Sequence, residues 1–399
     1  MRQWQMGSVS CSTPDGCCRP YGVAESLPPR GLRQPAVLTL AYSPNAAALL
    51  TFVVASLLTA LVVPVVRRCG LRWGVTDTPD ARKQHTRPMV RLGGVGIVLG
   101  FSVALALTWL LGGFAELEPS KDRLIWTTLA GCLCFFSIGL ADDLFALPPL
   151  PRLALQLAVS LVAWSEGVRI GSIELPFGGV AGAPAVLTLP DWLSVLATVI
   201  WLVGITNAIN WLDGLDGLAA GVSGIAAVGL LSVSFSLDQP AAGLLAAALA
   251  GSCLGFLRHN FNPARIFMGD GGSYFLGFSL AAISIVGPAK GLTSVSLLLP
   301  LLILSLPLAD MSAVIMGRLS EGRSPFYPDR RHLHHRLLRT GLSHRRTVLL
   351  IYAFTQWLAA LALVLVNAEM RFLWLALATA VLIWVLVSTR RQLQQADEA

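Results

Sequence analysis

"WLSVLATVIWLVGIT", residues 192–206, runs directly into "NAINWLDGLDGLAAG", residues 207–221. The first stretch is apolar enough for a helix that crosses a bilayer, which takes ~20 residues for ~30 Å of hydrocarbon. The second stretch carries amide and carboxylate side chains at Asn207, Asn210, Asp213 and Asp216. Such side chains at a membrane boundary are costly and usually face a polar cavity. The junction therefore predicts a membrane helix that ends in a functional site.

The composition of the whole chain is that of a membrane protein. Of its 399 residues, 55% are hydrophobic and 13% are charged, and the mean hydropathy is +0.68. Soluble domains carry about twice as much charge, so an ordinary soluble enzyme is excluded. No nucleic-acid partner is expected. The seven cysteines form no Cys-x-x-Cys pair, so neither a zinc knuckle nor a redox motif is predicted.

The sequence predicts an all-α polytopic membrane protein with about eleven transmembrane helices. The apolar segments lie at 46–66, 92–113, 124–141, 152–166, 192–210, 218–237, 239–257, 273–288, 294–317, 347–366 and 370–389. We expect one transmembrane domain over residues 46–390 and a tail over 391–399. Residues 1–45 have no helical periodicity and no signal-peptide pattern, so we expect a disordered extension there.

The distribution of positive charge predicts the topology. If the N-terminus is outside, the cytoplasmic segments and the tail hold 20 of the 29 Lys and Arg residues. This puts the C-terminus in the cytoplasm and gathers the polar motifs on the cytoplasmic face. The cytoplasmic segments are 67–91, 142–151 with Arg152 at its edge, 211–217, 258–272 and 318–346.

The four polar side chains after residue 206, which we call the polar ladder, are spaced three residues apart: Asn207, Asn210, Asp213 and Asp216. On a continuous helix each step of three turns by about 300°, so the first and last side chains would point apart. Gly214 and Gly217 permit the backbone to leave helical geometry and to gather these groups around a cavity. The alternative is a helix end with ordinary caps, but a cap needs one such residue and four are present.

Two further acidic motifs end or begin predicted helices. Asp142 and Asp143 follow the third apolar segment, and alone they are equally consistent with solvated residues at a helix end. Asp270 lies between glycines in "FMGDGGS", and we expect Ser273 to start the next helix. Glycine-rich backbone at a helix N-terminus suits phosphate, and an acid beside phosphate requires a cation. Mg²⁺ is the predicted metal, with Mn²⁺ as the alternative, although a simple turn would also fit.

The loop "DRRHLHHRLLRTGLSHRR", residues 329–346, is rich in both arginine and histidine. The positive-inside tendency explains the arginines but not His332, His334 and His335. A zinc site is disfavoured because no cysteine is near and the arginines oppose a second cation. A basic loop that faces an acidic metal site suits a diphosphate.

In combination these motifs resemble the polyprenyl-phosphate N-acetylhexosamine-1-phosphate transferases. The resemblance is carried by "ADDLF", "NAINWLDGLDGLAAG", "PARIFMGDGGS" and "HLHHRLLRTGLSHRR", in the family's order, and by the loop "RKQHTRPMVRLGG". It is strongest to the bacterial undecaprenyl-phosphate N-acetylglucosamine-1-phosphate branch. The branch that transfers phospho-N-acetylmuramoyl-pentapeptide is the alternative, but its histidines are usually followed by an acid, whereas Arg336 follows here.

The resemblance implies a reaction between UDP-N-acetylhexosamine and undecaprenyl phosphate at a bacterial plasma membrane, which initiates envelope polysaccharide synthesis. It implies that Asp270 binds the metal, that Asp142 or Asp143 accepts a proton or steadies the metal, and that Phe267 stacks on uracil. His332, His334 and His335 would approach the diphosphate or sugar. The four ladder residues Asn207, Asn210, Asp213 and Asp216 would line the nucleotide-sugar pocket, and Lys83 and His85 would contact the lipid phosphate.

Two other functions and the oligomeric state stay open. A proton- or cation-coupled transporter would also use membrane carboxylates, but it predicts two symmetric halves, which the sequence lacks. A membrane scaffold would not need the acids. A homodimer is compatible with the sequence, and membrane lipid is an expected partner.

Overall fold

The computed structural model describes residues 43–77, 89–115, 117–175, 185–287, 298–324, 331–366 and 368–397. Contacts divide the chain at residue 34, and all described residues belong to the unit 34–399. Lys83, His85 and most of the predicted extension 1–45 therefore lie outside the described residues.

The described residues form thirteen helices and two short antiparallel hairpins. In chain order the helices are α1 (Pro44–Trp73), α2 (Gly93–Leu110), α3 (Pro119–Phe145), α4 (Pro149–Ser165), α5 (Asp191–Leu212), α6 (Leu218–Ser236), α7 (Pro240–Asn260), α8 (Gly269–Val286), α9 (Leu298–Ile303), α10 (Ser305–Ser320), α11 (Leu333–Arg339), α12 (His344–Leu365) and α13 (Arg371–Asp397). One hairpin pairs β1 (Thr76–Asp77) with β2 (Met89–Val90), and the other pairs β3 (Ser172–Leu175) with β4 (Ala185–Thr188).

Eight helices in the described part of the chain are long and apolar enough to span a membrane: α1, α2, α3, α5, α6, α7, α12 and α13. The predicted all-α polytopic membrane fold is therefore confirmed. The other three predicted spans are not among these eight. One corresponds to α4, which has only 17 residues, and one to α8, which begins with polar residues. The third is divided into α9 and α10. Pro307 has no N–H for the Ile303 carbonyl, which gives a reason for the break between α9 and α10. The number eleven stays a prediction.

The helices α7 and α8 form the centre of the bundle. Every residue of α8 from Gly271 to Val286 is buried, as is most of α7. α3 and α5 pack on α8, while α1 and α6 pack on α7. A helix that is apolar all round is typical of one enclosed by other protein. α13, in contrast, exposes large apolar side chains such as Phe372, Trp374 and Trp384, as expected for contact with lipid.

The ends of α3 and α5 meet the beginning of α8. Gly139 of α3 lies so close to α8 that a Cβ there would collide with the carbonyl oxygen of Asp270. The prediction that Ser273 starts this helix is wrong, because α8 begins at Gly269. The first turn of α8 therefore includes Asp270, and it lies between the acidic ends of two other helices.

Candidate active site

Asp143 caps the N-terminus of α8 from another helix. Its Oδ1 accepts a hydrogen bond from the backbone N–H of Asp270, and its Oδ2 accepts one from Gly271, both at 2.9 Å. These N–H groups have no partner within α8, so the carboxylate allows the helix to start four residues earlier than predicted. Gly269 has a φ of 77°, and a Cβ there would collide with the Arg91 carbonyl oxygen. Only glycine fits this turn.

Asp142 faces a different set of partners from its neighbour. It forms an ion pair with Arg152, which lies in the first turn of α4. Its carboxyl group also lies within hydrogen-bonding reach of the Asp270 carboxyl group. The sequence left open which of Asp142 and Asp143 accepts a proton and which steadies the metal, and the structure gives the two residues different partners. Asp142 faces Asp270 side chain to side chain, whereas Asp143 binds the backbone.

Two members of the polar ladder lie beside Asp270. The side-chain amide of Asn210 donates to Asp270 Oδ1 at 2.8 Å and to Ser273 Oγ at 2.9 Å. Asp213 follows the last residue of α5. Burial raises the pKa of the Asp213 carboxyl group to about 7, and the nearby carboxylates of Asp270 and Asp143 add to this rise. The structure therefore brings Asp142, Asp143, Asn210, Asp213 and Asp270 into one acidic cluster.

Asn207 lies one turn further back on α5 and outside the acidic cluster. Its amide nitrogen donates to Gln156 Oε1 on α4 and to the Val203 carbonyl oxygen, both at 2.8 Å. Its contacts thus join α5 to α4.

Asp216 binds a neighbouring loop rather than Asp270. Its Oδ2 accepts hydrogen bonds from Asn262 Nδ2 and from the backbone N–H of Ala264, both at 3.0 Å. Its own backbone N–H donates to His344 Nε2 at 3.0 Å. Asp213 and Asp216 therefore have different environments although the sequence spaces them evenly.

The turn between α5 and α6 is fixed by groups from α7 and α12. Gly217 has a φ of 78°, as the predicted break in the helix requires. Its N–H donates to Asn260 Oδ1 at 3.0 Å, and its carbonyl oxygen accepts a hydrogen bond from the Tyr352 hydroxyl. This turn connects the acidic cluster to the loop of residues 329–346, which we call the histidine loop.

Phe267 precedes the acidic turn and is half-buried. Its N–H donates to the Val90 carbonyl oxygen, and its carbonyl oxygen accepts from the N–H of Gly93, both at 2.9 Å. The backbone of residue 267 therefore lies alongside the end of β2. Stacking of the Phe267 ring on uracil stays a prediction.

His334 is inserted next to the α5–α6 turn. It is 1% exposed, and neither ring nitrogen has a hydrogen-bond partner among the residues that the structure describes. Burial lowers the pKa of His334 to about 3, so its imidazole is neutral near pH 7. A Cβ at Gly214 would collide with His334 Nε2. The glycine is therefore needed for space beside the ring, and its φ is not in the left-handed region.

The other two predicted histidines flank His334. The ring of His332 lies parallel to it at 5.8 Å, and the ring of His335 lies at 4.3 Å. The ring of Trp211, on α5, makes a T-shaped contact with the His332 ring, with the two centroids 5.7 Å apart. The three histidines thus form a cluster that contacts the end of α5, where the acidic cluster begins.

A basic cavity adjoins the segment that carries the three histidines. Its volume is about 480 Å³, and it lies between α10 and α11; the lining includes Asp310, Ala313, Val314, Arg331, Arg336 and Arg339. A cavity of this size is within the range that small ligands occupy. Asp310 connects this cavity to His332.

The sequence pattern alone did not indicate a role for several of these residues. Arg152 and Asp310 lie outside the motifs, and Trp211 lies within "NAINWLDGLDGLAAG" but had no predicted role. Each of the three contacts a predicted site residue. For Asp310 a signal existed, because an acid inside the apolar run "SLPLADMSAVIMG" is by default a functional candidate in a membrane helix. Arg152 and Trp211 carry no comparable signal, since they resemble an interfacial anchor and a lipid-facing side chain.

The acidic cluster suits a divalent cation that binds together with a substrate. No group of three or more His, Cys, Asp or Glu side chains in the described part of the chain forms a metal cage by itself. Mg²⁺ usually takes one or two protein carboxylates and completes its shell with water and phosphate oxygens. Asp142 and Asp270 lie close enough to repel each other when both are ionised, and a cation between them would relieve that repulsion. The residues therefore fit the predicted metal.

Comparisons with known proteins agree with the motifs. The sequence profile of glycosyl transferase family 4 matches residues 125–288, which include the whole acidic cluster. A Bacillus subtilis (strain 168) protein named "probable undecaprenyl-phosphate N-acetylglucosaminyl 1-phosphate transferase" is 34% identical over 331 residues, 81% of this chain and 86% of that protein.

Two further relatives have related names. A decaprenyl-phosphate N-acetylglucosaminephosphotransferase of Mycolicibacterium smegmatis is 34% identical over 317 residues, 75% of this chain and 77% of that protein. An undecaprenyl-phosphate alpha-N-acetylglucosaminyl 1-phosphate transferase of Haemophilus influenzae is 31% identical over 301 residues, 73% of this chain and 80% of that protein. The chain thus belongs to glycosyl transferase family 4, among the polyprenyl-phosphate N-acetylhexosamine-1-phosphate transferases.

Proposed function

We propose that this protein transfers N-acetylglucosamine-1-phosphate from UDP-N-acetylglucosamine to undecaprenyl phosphate, releasing UMP. One observation carries the proposal from the geometry: the acidic ends of α3 and α5 converge on Asp270 in the first turn of α8. The names of the relatives support the sugar and the lipid acceptor. UDP as the carrier is what the family implies.

The reaction exchanges one phosphate ester for another. An oxygen of the lipid phosphate attacks the β-phosphorus of the donor, and the bond from that phosphorus to the bridging oxygen breaks, so UMP leaves with that oxygen. The second pKa of a phosphate monoester is ~6, so the attacking oxygen is largely ionised at neutral pH. The residues mainly have to align two anions and stabilise the charge that the leaving group gains.

Asp270 and Asp142 are the side chains that we expect to hold Mg²⁺. When bound, the metal supplies the positive charge that stabilises the leaving UMP. Asp143 keeps Asp270 in place through the backbone of α8, and Asn210 orients the Asp270 carboxylate through its amide. Asp213 lies where a further ligand of the metal or of the donor would fit, while Asp216 holds the loop before Phe267.

His334 is the histidine best suited to contact the donor. It is buried, neutral and without a hydrogen-bond partner in the described residues, as expected for a group whose partner is a substrate. A neutral imidazole can donate one hydrogen bond to a departing phosphate. The arginines of the same loop supply positive charge. We further propose that this loop and the acidic cluster lie on the cytoplasmic face of a bacterial plasma membrane.

The test is transfer by purified protein in detergent, with undecaprenyl phosphate and radiolabelled UDP-N-acetylglucosamine. We expect a labelled lipid diphosphate and one UMP per product, and no product when EDTA removes divalent metal. Mn²⁺ should be tried in place of Mg²⁺. UDP-N-acetylgalactosamine and UDP-N-acetylmuramoyl-pentapeptide serve as competing donors. Product from the pentapeptide donor alone would assign the other branch of the family, and no product from any donor would refute the proposal.

A further inference from the structure

Asp310 lies where α10 meets the beginning of α11. Its Oδ2 is 2.9 Å from His332 Nδ1, and its Oδ1 accepts the backbone N–H of Leu333 at 2.6 Å. The Asp310 and His332 side chains are 7% and 10% exposed. Both carboxylate oxygens of a buried acid therefore bind the first residues of the histidine loop.

We propose that Asp310 is a positioning residue for the transfer reaction, which it serves by keeping a hydrogen on Nδ1 of His332. An ionised carboxylate only accepts hydrogen bonds, so the nitrogen that faces it must be the donor. In a neutral imidazole the other nitrogen, Nε2, is then the acceptor. This inference rests on the proposed function.

The surroundings of His332 connect it to the site. Its ring makes a T-shaped contact with Trp211, the residue directly after Asn210, and lies parallel to the His334 ring. Arg318 of α10 also lies over the Trp211 ring, with its Cζ 5.0 Å from the ring centroid. The orientation of the His332 ring therefore affects the packing of His334 and the end of α5.

A purely structural role for Asp310 is the competing explanation. α11 has seven residues, which is too short to be stable alone, and its Leu333 N–H needs a partner. An aspartate at this position would cap the helix whether or not the His332 proton matters. The two roles make different demands on the side chain, because a cap needs one acceptor oxygen whereas the His332 proton needs a second.

Asp310→Asn separates the two roles. Asparagine is nearly isosteric, and its Oδ1 can still accept the Leu333 N–H. Its Nδ2 is a donor, so it can bind Nδ1 of His332 only if that nitrogen gives up its hydrogen. The variant therefore keeps the cap and moves the hydrogen of the neutral ring to Nε2.

The kinetic test compares wild type, Asp310→Asn, His332→Gln and the double variant. We expect Asp310→Asn to lower kcat by about tenfold or more, with the KM for UDP-N-acetylglucosamine within about threefold of wild type. Because Asp310 acts through His332, the double variant should be no slower than His332→Gln alone. The matched control is Glu321→Gln, which removes an exposed ion pair to Arg331 next to His332 and should leave kcat unchanged. An Asp310→Asn enzyme within about twofold of wild type, or additive losses, would overturn the proposal.

A spectroscopic test does not depend on activity. In protein labelled with ¹⁵N-histidine at about pH 8, where a free imidazole is neutral, the His332 signals are identified by their loss in His332→Gln. We expect hydrogen on Nδ1 in the wild type and on Nε2 in Asp310→Asn. Nδ1 without hydrogen in the wild type would overturn the proposal even if the variant fails to accumulate. If the wild type transfers no sugar phosphate, the proposed function fails, while this measurement still decides the Asp310–His332 arrangement.

Discussion

Gly214→Ala tests whether the α5–α6 turn and the histidine loop act as one site. The added methyl group would overlap His334 Nε2, and it would lie 2.9 Å from Cε1 and 3.3 Å from Cδ2 of the same ring. The φ of Gly214 is not in the left-handed region, so alanine introduces no backbone strain of that kind. The substitution therefore acts on the His334 ring.

The size of the effect can be worked from these contacts. Carbon atoms rest about 3.5–4.0 Å apart, so the ring must retreat by an amount on the order of 1 Å. Overpacking of this kind destabilises a protein by ~1–3 kcal/mol. Misplacing a catalytic group by about 1 Å reduces turnover by ~100-fold. We therefore expect a protein that still folds and that loses about two orders of magnitude in kcat.

The assay measures kcat and KM with UDP-N-acetylglucosamine for Gly214→Ala, His334→Ala and the double variant. Gly204→Ala is the matched control, because a Cβ at Gly204 of α5 meets nothing within 4 Å. Each single variant should lose ~100-fold, and the double variant should resemble His334→Ala, since the methyl group then fills vacated space. A Gly214→Ala enzyme within about threefold of wild type, or losses that multiply in the double variant, would show that the turn and the His334 ring do not act as one site.

Three other predictions concern the metal site, the topology and the effect of pH. Asp270→Asn should abolish transfer at every Mg²⁺ concentration while the protein accumulates normally, because an amide is a poor Mg²⁺ ligand. The control is Glu166→Gln, which removes an exposed ion pair between Arg123 of α3 and the residue that follows α4. Near-normal transfer by Asp270→Asn would remove Asp270 from the site. Reporter fusions after residues 146, 262 and 341 should be cytoplasmic and fusions after 117 and 168 external; an external signal after 341 would separate the histidines from the acids. Folding lowers the pKa of His334 from 6.5 to about 3. Between these pH values the unfolded chain therefore binds a proton on His334 that the folded protein does not bind. The free energy of unfolding should accordingly decrease as the pH is lowered through this range. In thermal melts, the stability of His334→Gln should decrease less over this pH range than that of the wild type. The same pH dependence in both proteins would show that burial of His334 is not its cause.

The sequence was sufficient to predict that the acidic motifs meet, and insufficient to predict what each residue does there. The acids lie at helix ends, and the positive charges have a consistent bias, so the sequence predicts that the acidic motifs lie on one side of the bundle. The contacts among α3, α5 and α8 confirm that these motifs converge. Asp213 and Asp216 show the limit. Their spacing is the same as that of Asn207 and Asn210, but α5 stops at Leu212, and the direction of each later side chain depends on partners elsewhere in the chain.

Those partners come from distant segments. Asp216 binds a loop near residue 262, and the turn beside it depends on Tyr352. No local pattern contains this information, because it arises only when α7 and α12 pack against α6. Asp143 is a similar case: an acid at the end of one helix serves as the cap of another helix 127 residues later.

The cap that Asp143 provides has a consequence for recombination between relatives. An ordinary capping residue belongs to the helix it caps, so the two are inherited together within a few codons. Here the donor N–H groups and the acceptor carboxylate are encoded by separate halves of the reading frame. A chimera with a crossover between α3 and α8 would combine an acceptor from one parent with a helix start from the other. Such chimeras should retain activity only where both parents place the end of α3 and the start of α8 at the same depth.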